Sequence, residues 1–178
     1  MLQDHVTPLP LALVAAVHGA CLVALIAILG APTVRFPGWR VVRPGGTHWF
    51  CFIGCWAFAA MVSWVWLFVG SGRRDAEAQM RWALLLILAF GIGAALSGLY
   101  IAQLRWRALR WRGTTVQWRE RGRDIVQDIA NFDGFRRAFS GLFHLRFRDG
   151  TILKLDLYSR NAEDLAVALS EHAGRDIE

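Results

Sequence analysis

The segment spanning residues 82–123 constrains the fold of this chain more than any other. Residues 82–104 carry no charged side chain, and an apolar run of that length allows a helix to cross the roughly 30 Å hydrocarbon core of a bilayer. Residues 105–112 follow directly and read Arg-Trp-Arg-Ala-Leu-Arg-Trp-Arg; we call them the Arg/Trp collar. Arginine beside a membrane helix is typical of its cytoplasmic end, and tryptophan is typical of either membrane interface. The segment therefore predicts a transmembrane helix and the side of the membrane on which the following residues lie.

Two further apolar runs, residues 9–30 and 49–69, precede this segment. Each is long enough to span a bilayer. The first run has no lysine or arginine before it, and its apolar core is too long for a cleaved signal peptide, so we expect a retained helix. Residues 31–48 and 70–81 are predicted to be loops. The sequence thus predicts three transmembrane helices in residues 1–112.

Composition agrees with a membrane region followed by a soluble domain. Hydrophobic residues make up 55% of the chain and charged residues 19%, a more apolar balance than in an ordinary soluble domain. Nearly all the apolar residues before residue 104 fall in the three runs, whereas the last third of the chain is polar and charged. We therefore predict a membrane α-helical region, residues 1–112, and a soluble domain, residues 113–178.

The formal net charge is +6, and residues 105–123 hold seven arginines against one glutamate. A basic balance favours nucleic-acid binding in a soluble protein. Beside a bilayer the same arginines are explained by their retention on the cytoplasmic side. We therefore predict no nucleic-acid partner.

The distribution of arginine predicts the orientation. With the N-terminus outside, the inner side holds the three arginines of residues 31–48 and the seven of residues 105–123, and the outer side holds only the three of residues 70–81. The reverse orientation violates the positive-inside rule. We predict a multi-pass protein of the bacterial inner membrane with a periplasmic N-terminus and a cytoplasmic C-terminal domain. The tryptophans predicted at the inner interface are Trp39, Trp49, Trp106 and Trp111.

Small residues recur at helical spacing in two of the predicted helices. Those of the first helix are Ala12, Ala16, Ala20 and Ala24. Those of the third helix are Gly91, Ala94, Gly98 and Ala102. Such stripes let helix backbones approach closely in lipid, so both are predicted to be packing faces.

The second helix is aromatic, and Trp49, Phe52 and Trp56 share one face. One interpretation is lipid-facing bulk. The other is a docking ridge for another membrane subunit or for a bound pigment, quinone or lipid. Within the apolar layer the indole N–H of Trp56 requires a hydrogen-bond acceptor.

Candidate ligand residues lie within the first two helices, at His18, Cys21, Cys51 and Cys55. Their side chains are of the types that bind zinc or iron, but cysteine is also a common small apolar residue in buried helices. His18 is either a functional polar group in the membrane or a neutral side chain bonded to a neighbouring helix. No metal or cofactor is predicted, and the sequence has no Ser/His/Asp arrangement or phosphate loop, so we predict that the chain is not an enzyme.

The C-terminal region changes to strand periodicity. Residues 114–119 read as a strand, and residues 124–132 fit either a helix or a bulged strand. Phe143, Leu145 and Phe147 alternate with polar residues up to Asp149-Gly150, a candidate type I′ turn. Leu153 and Leu155 continue the alternation, which predicts a hairpin. Asn161 is a candidate N-cap and Gly174 a candidate C-cap for a final helix.

These strands, the Asp-Gly hairpin, Trp118 and the helix from Ala162 resemble a small bacterial PH-like domain over residues 113–173. The resemblance implies an antiparallel sheet with a C-terminal helix, although residues 113–178 have room for only four or five of the seven strands of a full PH barrel. Three membrane helices before such a domain are similar in layout to the photosynthetic-complex assembly proteins of purple bacteria. That resemblance implies a role in complex assembly.

The Arg/Trp collar has two interpretations. It either sets orientation and anchors to lipid phosphates, or forms a docking site for an acidic partner or a specific lipid. The residues predicted to bind a partner or lipid are Trp49, Phe52, Trp56, Arg105, Trp106, Arg107, Arg110, Trp111 and Arg112.

The predicted function is that of a non-enzymatic accessory or assembly subunit of a larger inner-membrane complex, energy-transducing and either photosynthetic or respiratory. Its expected partners are other integral membrane subunits and anionic lipid, with room for a bound lipid, quinone or pigment. The alternatives are a membrane-tethered lipid-binding or sensory PH-like module and a small transporter component.

Overall fold

The computed structural model describes residues 8–31, 36–69, 76–138 and 141–173. The chain divides into two compact units. The helical unit comprises residues 1–30 and 48–102, and the sheet unit comprises residues 31–47 and 103–178.

Three long helices lie in the first two thirds of the chain. Helix α1 covers Pro8–Gly30, α2 covers Gly46–Trp64 and continues in a π-helical turn over Val65–Val69, and α3 covers Ala76–Arg107. All three are long and apolar enough to cross a membrane, which confirms the expectation of three such helices. Helix α3 extends beyond the apolar run at both ends, so the first three residues of the Arg/Trp collar are helical.

The small residues of α3 form its packing face, as predicted. Gly91, Ala94, Gly98 and Ala102 are all buried. A methyl group on Gly98 would lie 2.8 Å from the Cβ of Ala24 and 2.8 Å from a ring carbon of Phe52. Close backbone approach at this point therefore depends on glycine.

The predicted stripe of α1 is wrong for three of its four members. Ala12, Ala16 and Ala20 are exposed, and only Ala24 is buried. The buried face of α1 instead carries Val14, Val17, Cys21, Ala24 and Ile28. Because α1 is apolar on every side, its sequence does not mark which side packs against the other helices.

In its described residues the sheet unit contains two antiparallel sheets, the last turns of α3 and a C-terminal helix. The four-stranded sheet has the order β1 Arg40–Val41, β2 Arg110–Arg112, β3 Thr115–Glu120 and β4 Arg123–Asp128. The three-stranded sheet has the order β5 Phe132–Arg137, β6 Leu142–Phe147 and β7 Ile152–Asp156. Helix α4, Ala162–Ala173, follows. This confirms a small antiparallel sheet domain with a C-terminal helix.

Alternate residues of the strands build the core of this unit. Trp118 of β3 is buried and stacks on Phe147 of β6, with ring centroids 5.9 Å apart. Leu165 and Leu169 of α4 are buried in the same cluster. Side chains in a strand alternate between its two faces, which is why the period-two pattern predicted these strands.

Two strands of the sheet unit lie outside the predicted range 113–178. Strand β1 pairs with β2 through Arg40 opposite Trp111 and Val41 opposite Arg110. Strand β1 is too short to show periodicity, and the charge of the Arg/Trp collar hides the strand character of β2. Trp111 is 8% exposed and belongs to the core of the sheet unit, so its predicted place at a membrane interface is wrong.

The ambiguous segment 124–132 is a strand that ends in a turn. Strand β4 runs to Asp128, whose carboxylate accepts a hydrogen bond of 2.9 Å from the Ala130 N–H. That bond caps a 3₁₀ turn over Ile129–Asn131. The strand interpretation is therefore confirmed up to Asp128.

The predicted type I′ turn at Asp149-Gly150 is wrong. Of the two residues only Gly150 has a positive φ, 83°. The Gly150 N–H donates to the Phe147 carbonyl and the Phe147 N–H to the Thr151 carbonyl, each at 2.9 Å. This is a three-residue loop with a left-handed glycine. The two-residue loop with both φ positive is Arg121-Gly122, at 48° and 78°.

Asn161, directly before α4, forms a hydrogen bond with strand β1. Its φ is 64°, and its side-chain amide donates to the Val41 carbonyl at 2.9 Å. This differs from the predicted N-cap, in which the side chain accepts from the helix. The predicted C-cap Gly174 lies outside the described residues.

Candidate functional site

The Arg/Trp collar is split between two elements of the sheet unit. Helix α3 ends at Arg107, the chain turns at Ala108 with φ 47°, and β2 begins at Arg110. Arg105 donates to the Ala31 carbonyl at 3.3 Å. The collar residues therefore belong to the end of α3, a turn and strand β2.

In the strand part of the collar, Arg110 and Trp111 make contacts within the sheet unit. The Arg110 guanidinium lies 3.5 Å from the ring centroid of Phe36 and donates to the Gln117 side chain at 3.1 Å. Burial lowers the pKa of Arg110, partly offset by Asp124. Trp111 is buried, and the Arg40 guanidinium carbon lies over its ring, 5.0 Å from the Trp111 ring centroid. Arg112, in contrast, is exposed.

The helical part of the collar borders an open basic groove. The groove has a volume of about 560 Å³, and its side chains include Gln103, Trp106, Arg107, Arg119, Arg121 and Lys154. Arg107 donates to the Lys154 carbonyl at 3.4 Å, which ties the end of α3 to β7. The predicted residues Trp106 and Arg107 thus meet two cations that the sequence did not single out. Arg121 was counted only as charge, and Lys154, the one lysine of the chain, lies 33 residues further on.

A second concavity is apolar. It lies between the three-stranded sheet and α4, and its volume is about 240 Å³. Its walls include Phe135, Phe143, Leu157 and Val167, and Glu163 is the charged residue that lines it in the described part of the chain. We call it the apolar pocket. The sequence did not indicate this pocket, because its walls come from separate strands and from α4.

Three polar side chains of the helical unit, Trp56, His18 and Ser63, form a connected network. The Trp56 Nε1–H donates to Nδ1 of His18 at 3.2 Å. The Ser63 hydroxyl donates to the Ala59 carbonyl at 2.8 Å, so its oxygen accepts from Nε2 of His18, 3.0 Å away. This assigns His18 as the neutral tautomer protonated at Nε2. Both ring nitrogens are occupied, in agreement with the interpretation of His18 as a neutral side chain bonded to a neighbouring helix.

The aromatic face of α2 turns towards the other helices of the same chain. Phe52 is 2% exposed in the core with Cys21 and Ala24, and Trp49 and Trp56 pack against that core. Phe52 therefore has no free surface on which an external partner could dock. The exposed aromatic residues of this segment are instead Phe50, Trp64 and Phe68.

The cysteines do not assemble a ligand set in the described part of the chain. Cys21 is buried and its thiol lies 3.5 Å from the Gly91 carbonyl, whereas Cys51 is exposed. Cys55 packs partly buried against the core that contains Cys21. Within the described ranges no group of three or more His, Cys, Asp or Glu side chains is placed to hold a metal ion.

The chain matches no family model, no curated protein and no solved structure.

Proposed function

We propose that this protein is a non-enzymatic accessory or assembly subunit of a larger inner-membrane complex. Three helices anchor it, and the sheet unit is a cytoplasmic, PH-like interaction domain. The host complex is energy-transducing, either photosynthetic or respiratory. This part of the proposal rests on the similarity in layout to the photosynthetic-complex assembly proteins of purple bacteria.

Membrane anchoring is supported by the length and composition of the three helices. The cytoplasmic position of the sheet unit is supported by the seven arginines that follow the last apolar run, since arginine is retained on that side.

A PH-like fold is supported by the number and order of the strands. Four antiparallel strands in one sheet, three in the other and a closing helix agree in number with the seven strands and helix that the resemblance to a PH barrel implies. The two strands that residues 113–178 could not supply come from residues 40–41 and 110–112.

The observation that carries the proposal is the apolar pocket. Its walls are aromatic and aliphatic side chains, and Leu157 and Val167 at its edge are exposed. Apolar pockets of this kind take an anchoring side chain at protein interfaces. We assign the pocket to an apolar side chain from a segment of a partner subunit.

The test is co-purification from the native membrane. The variant Val167→Lys puts a charge at the edge of the pocket, at a position that is 44% exposed and so tolerates it in the free protein. The matched control is Val126→Lys on edge strand β4, 58% exposed and outside the pocket. Tagged proteins are extracted in mild detergent, sized and analysed by mass spectrometry.

We expect wild type and Val126→Lys to co-purify with the same integral membrane subunits, and Val167→Lys to lose most of them. A wild-type protein that elutes as a lone monomer would overturn the proposed function. Equal recovery of partners by both variants would show that the apolar pocket is not where the partner docks.

A further inference from the structure

We propose that the basic groove binds the phosphate headgroup of an anionic phospholipid. The groove belongs wholly to the sheet unit and is formed by three of its elements. These are the end of α3 with Gln103, Trp106 and Arg107, the β3–β4 turn with Arg121, and β7 with Lys154. The inference rests on the proposed membrane anchoring.

The charge of the groove suits a phosphate. Among the described residues, four cationic side chains and one carboxylate, Glu120, line the groove. The Glu120 carboxylate accepts a hydrogen bond of 3.5 Å from the Trp118 indole N–H. Arg119 is paired with Asp124 at 2.8 Å, so it serves the local fold. The candidate phosphate ligands are therefore Arg107, Arg121 and Lys154.

These three side chains keep donors for a ligand. Arg107 uses one nitrogen for the Lys154 carbonyl, and a guanidinium has five N–H donors. Neither Arg121 nor Lys154 has an ion-pair partner among the described residues. Because these three cations lie on three different elements, they define one binding position for a phosphate and not only a region of positive charge.

The place of the groove along the chain selects a lipid over a free phosphate. Gln103 and Trp106 lie on the last turns of α3, where the uncharged run ends at residue 104. Trp106 is 47% exposed, and tryptophan at a helix end favours the headgroup level of a bilayer. Basic pockets at the cytoplasmic end of membrane helices bind anionic headgroups.

The test uses the full chain in neutral detergent, titrated with short-chain phosphatidylglycerol and read by native mass spectrometry. The groove variant is Arg121→Asn with Lys154→Gln, because asparagine tolerates the positive φ of position 121. The control, Arg136→Gln with Arg137→Gln, removes the same charge from exposed positions of β5. Loss of two phosphate contacts is expected to weaken phosphatidylglycerol binding about thirty-fold in the groove variant. The control is expected to bind like wild type.

A second variant, Arg107→Gln, removes one contact from another element and is expected to weaken binding about five-fold. It keeps the test decisive if the double variant does not fold. Phosphatidylcholine and glycerol phosphate are titrated in parallel, and both are expected to bind wild type much more weakly than phosphatidylglycerol.

Equal binding of phosphatidylglycerol by the groove and control variants would overturn the inference, as would equal affinity of wild type for phosphatidylcholine. Equal affinity for glycerol phosphate would overturn the assignment to lipid. Partner subunits are measured in native extracts of the same variants. If wild type binds phosphatidylglycerol without selectivity but keeps its partner subunits, only the inference about the groove is overturned. If wild type has no partner subunits, only the proposed function is overturned.

Discussion

The indole N–H of Trp56 lies within the helical unit, where an unpaired donor would cost free energy. The need for an acceptor could be predicted from the sequence, but its identity could not. His18 is 38 residues away on another helix, and no spacing rule relates residues on α1 to residues on α2. The same holds for Ser63, which completes the network from the last turn of α2.

Replacing His18 by leucine is expected to destabilise the helical unit by about 1 kcal/mol, since buried hydrogen bonds between membrane helices are worth roughly that amount. The Trp56 N–H would lose its acceptor. Equilibrium unfolding of the purified protein in detergent measures the change. The reference is the wild-type protein. If His18→Leu proves as stable as wild type, the network has no energetic role.

The pKa of Asp149 is lowered from its ordinary value of 3.8, chiefly by the Thr151 hydroxyl, then by the Thr151 N–H, with Gln127 contributing less. A carboxyl group with a lowered folded-state pKa stabilises the fold above its unfolded pKa. That contribution disappears as the pH falls through 3.8 towards the lower folded-state value.

The variant Asp149→Asn is accordingly expected to unfold at a lower temperature than wild type at neutral pH, with the difference shrinking below about pH 4. Thermal unfolding of both proteins over a pH series checks this. A deficit that stays constant across the series would show that the charge of Asp149 does not contribute.

At the level of elements, a sequence pattern predicted the structure correctly where only one physical cause produces that pattern. The α3 stripe was predicted correctly because Gly91 and Gly98 have few other reasons to recur in an apolar helix. The α1 stripe failed because alanine is also an ordinary lipid-facing residue. Strand β1 was missed because two residues show no period, and the Arg121-Gly122 turn because arginine is an unusual residue at positive φ.

Adding one methyl group to α3 should have opposite effects at two glycines. Gly98→Ala brings the new methyl within 2.8 Å of Ala24 and Phe52, and overpacking of this kind costs about 1–3 kcal/mol. Gly93→Ala meets nothing within 4 Å and gains helix propensity of up to about 1 kcal/mol. Unfolding free energies in detergent compare the two. Equal stability of the two variants would mean that α3 does not pack closely at Gly98.

At the level of the whole molecule, the division into apolar helices and a polar sheet domain was readable from composition and periodicity. The contents of the sheet unit were only partly readable, since residues 31–47 join it from between two helices. The basic groove and the apolar pocket were not readable, because each combines side chains from elements far apart in sequence. The sequence therefore predicted the collar as a candidate binding region, whereas the groove emerges only when Arg107 meets Arg121 and Lys154.

The most direct test of the account is the side of the membrane on which the sheet unit lies. In a background with Cys21, Cys51 and Cys55 changed to alanine, single variants Val126→Cys and Ser71→Cys are treated with a membrane-impermeant maleimide in intact spheroplasts. Val126 is exposed in the sheet unit, and Ser71 lies between α2 and α3. If the sheet unit is cytoplasmic, Ser71→Cys is labelled in intact spheroplasts and Val126→Cys only after the membrane is opened. Labelling of Val126→Cys in intact spheroplasts would contradict this placement.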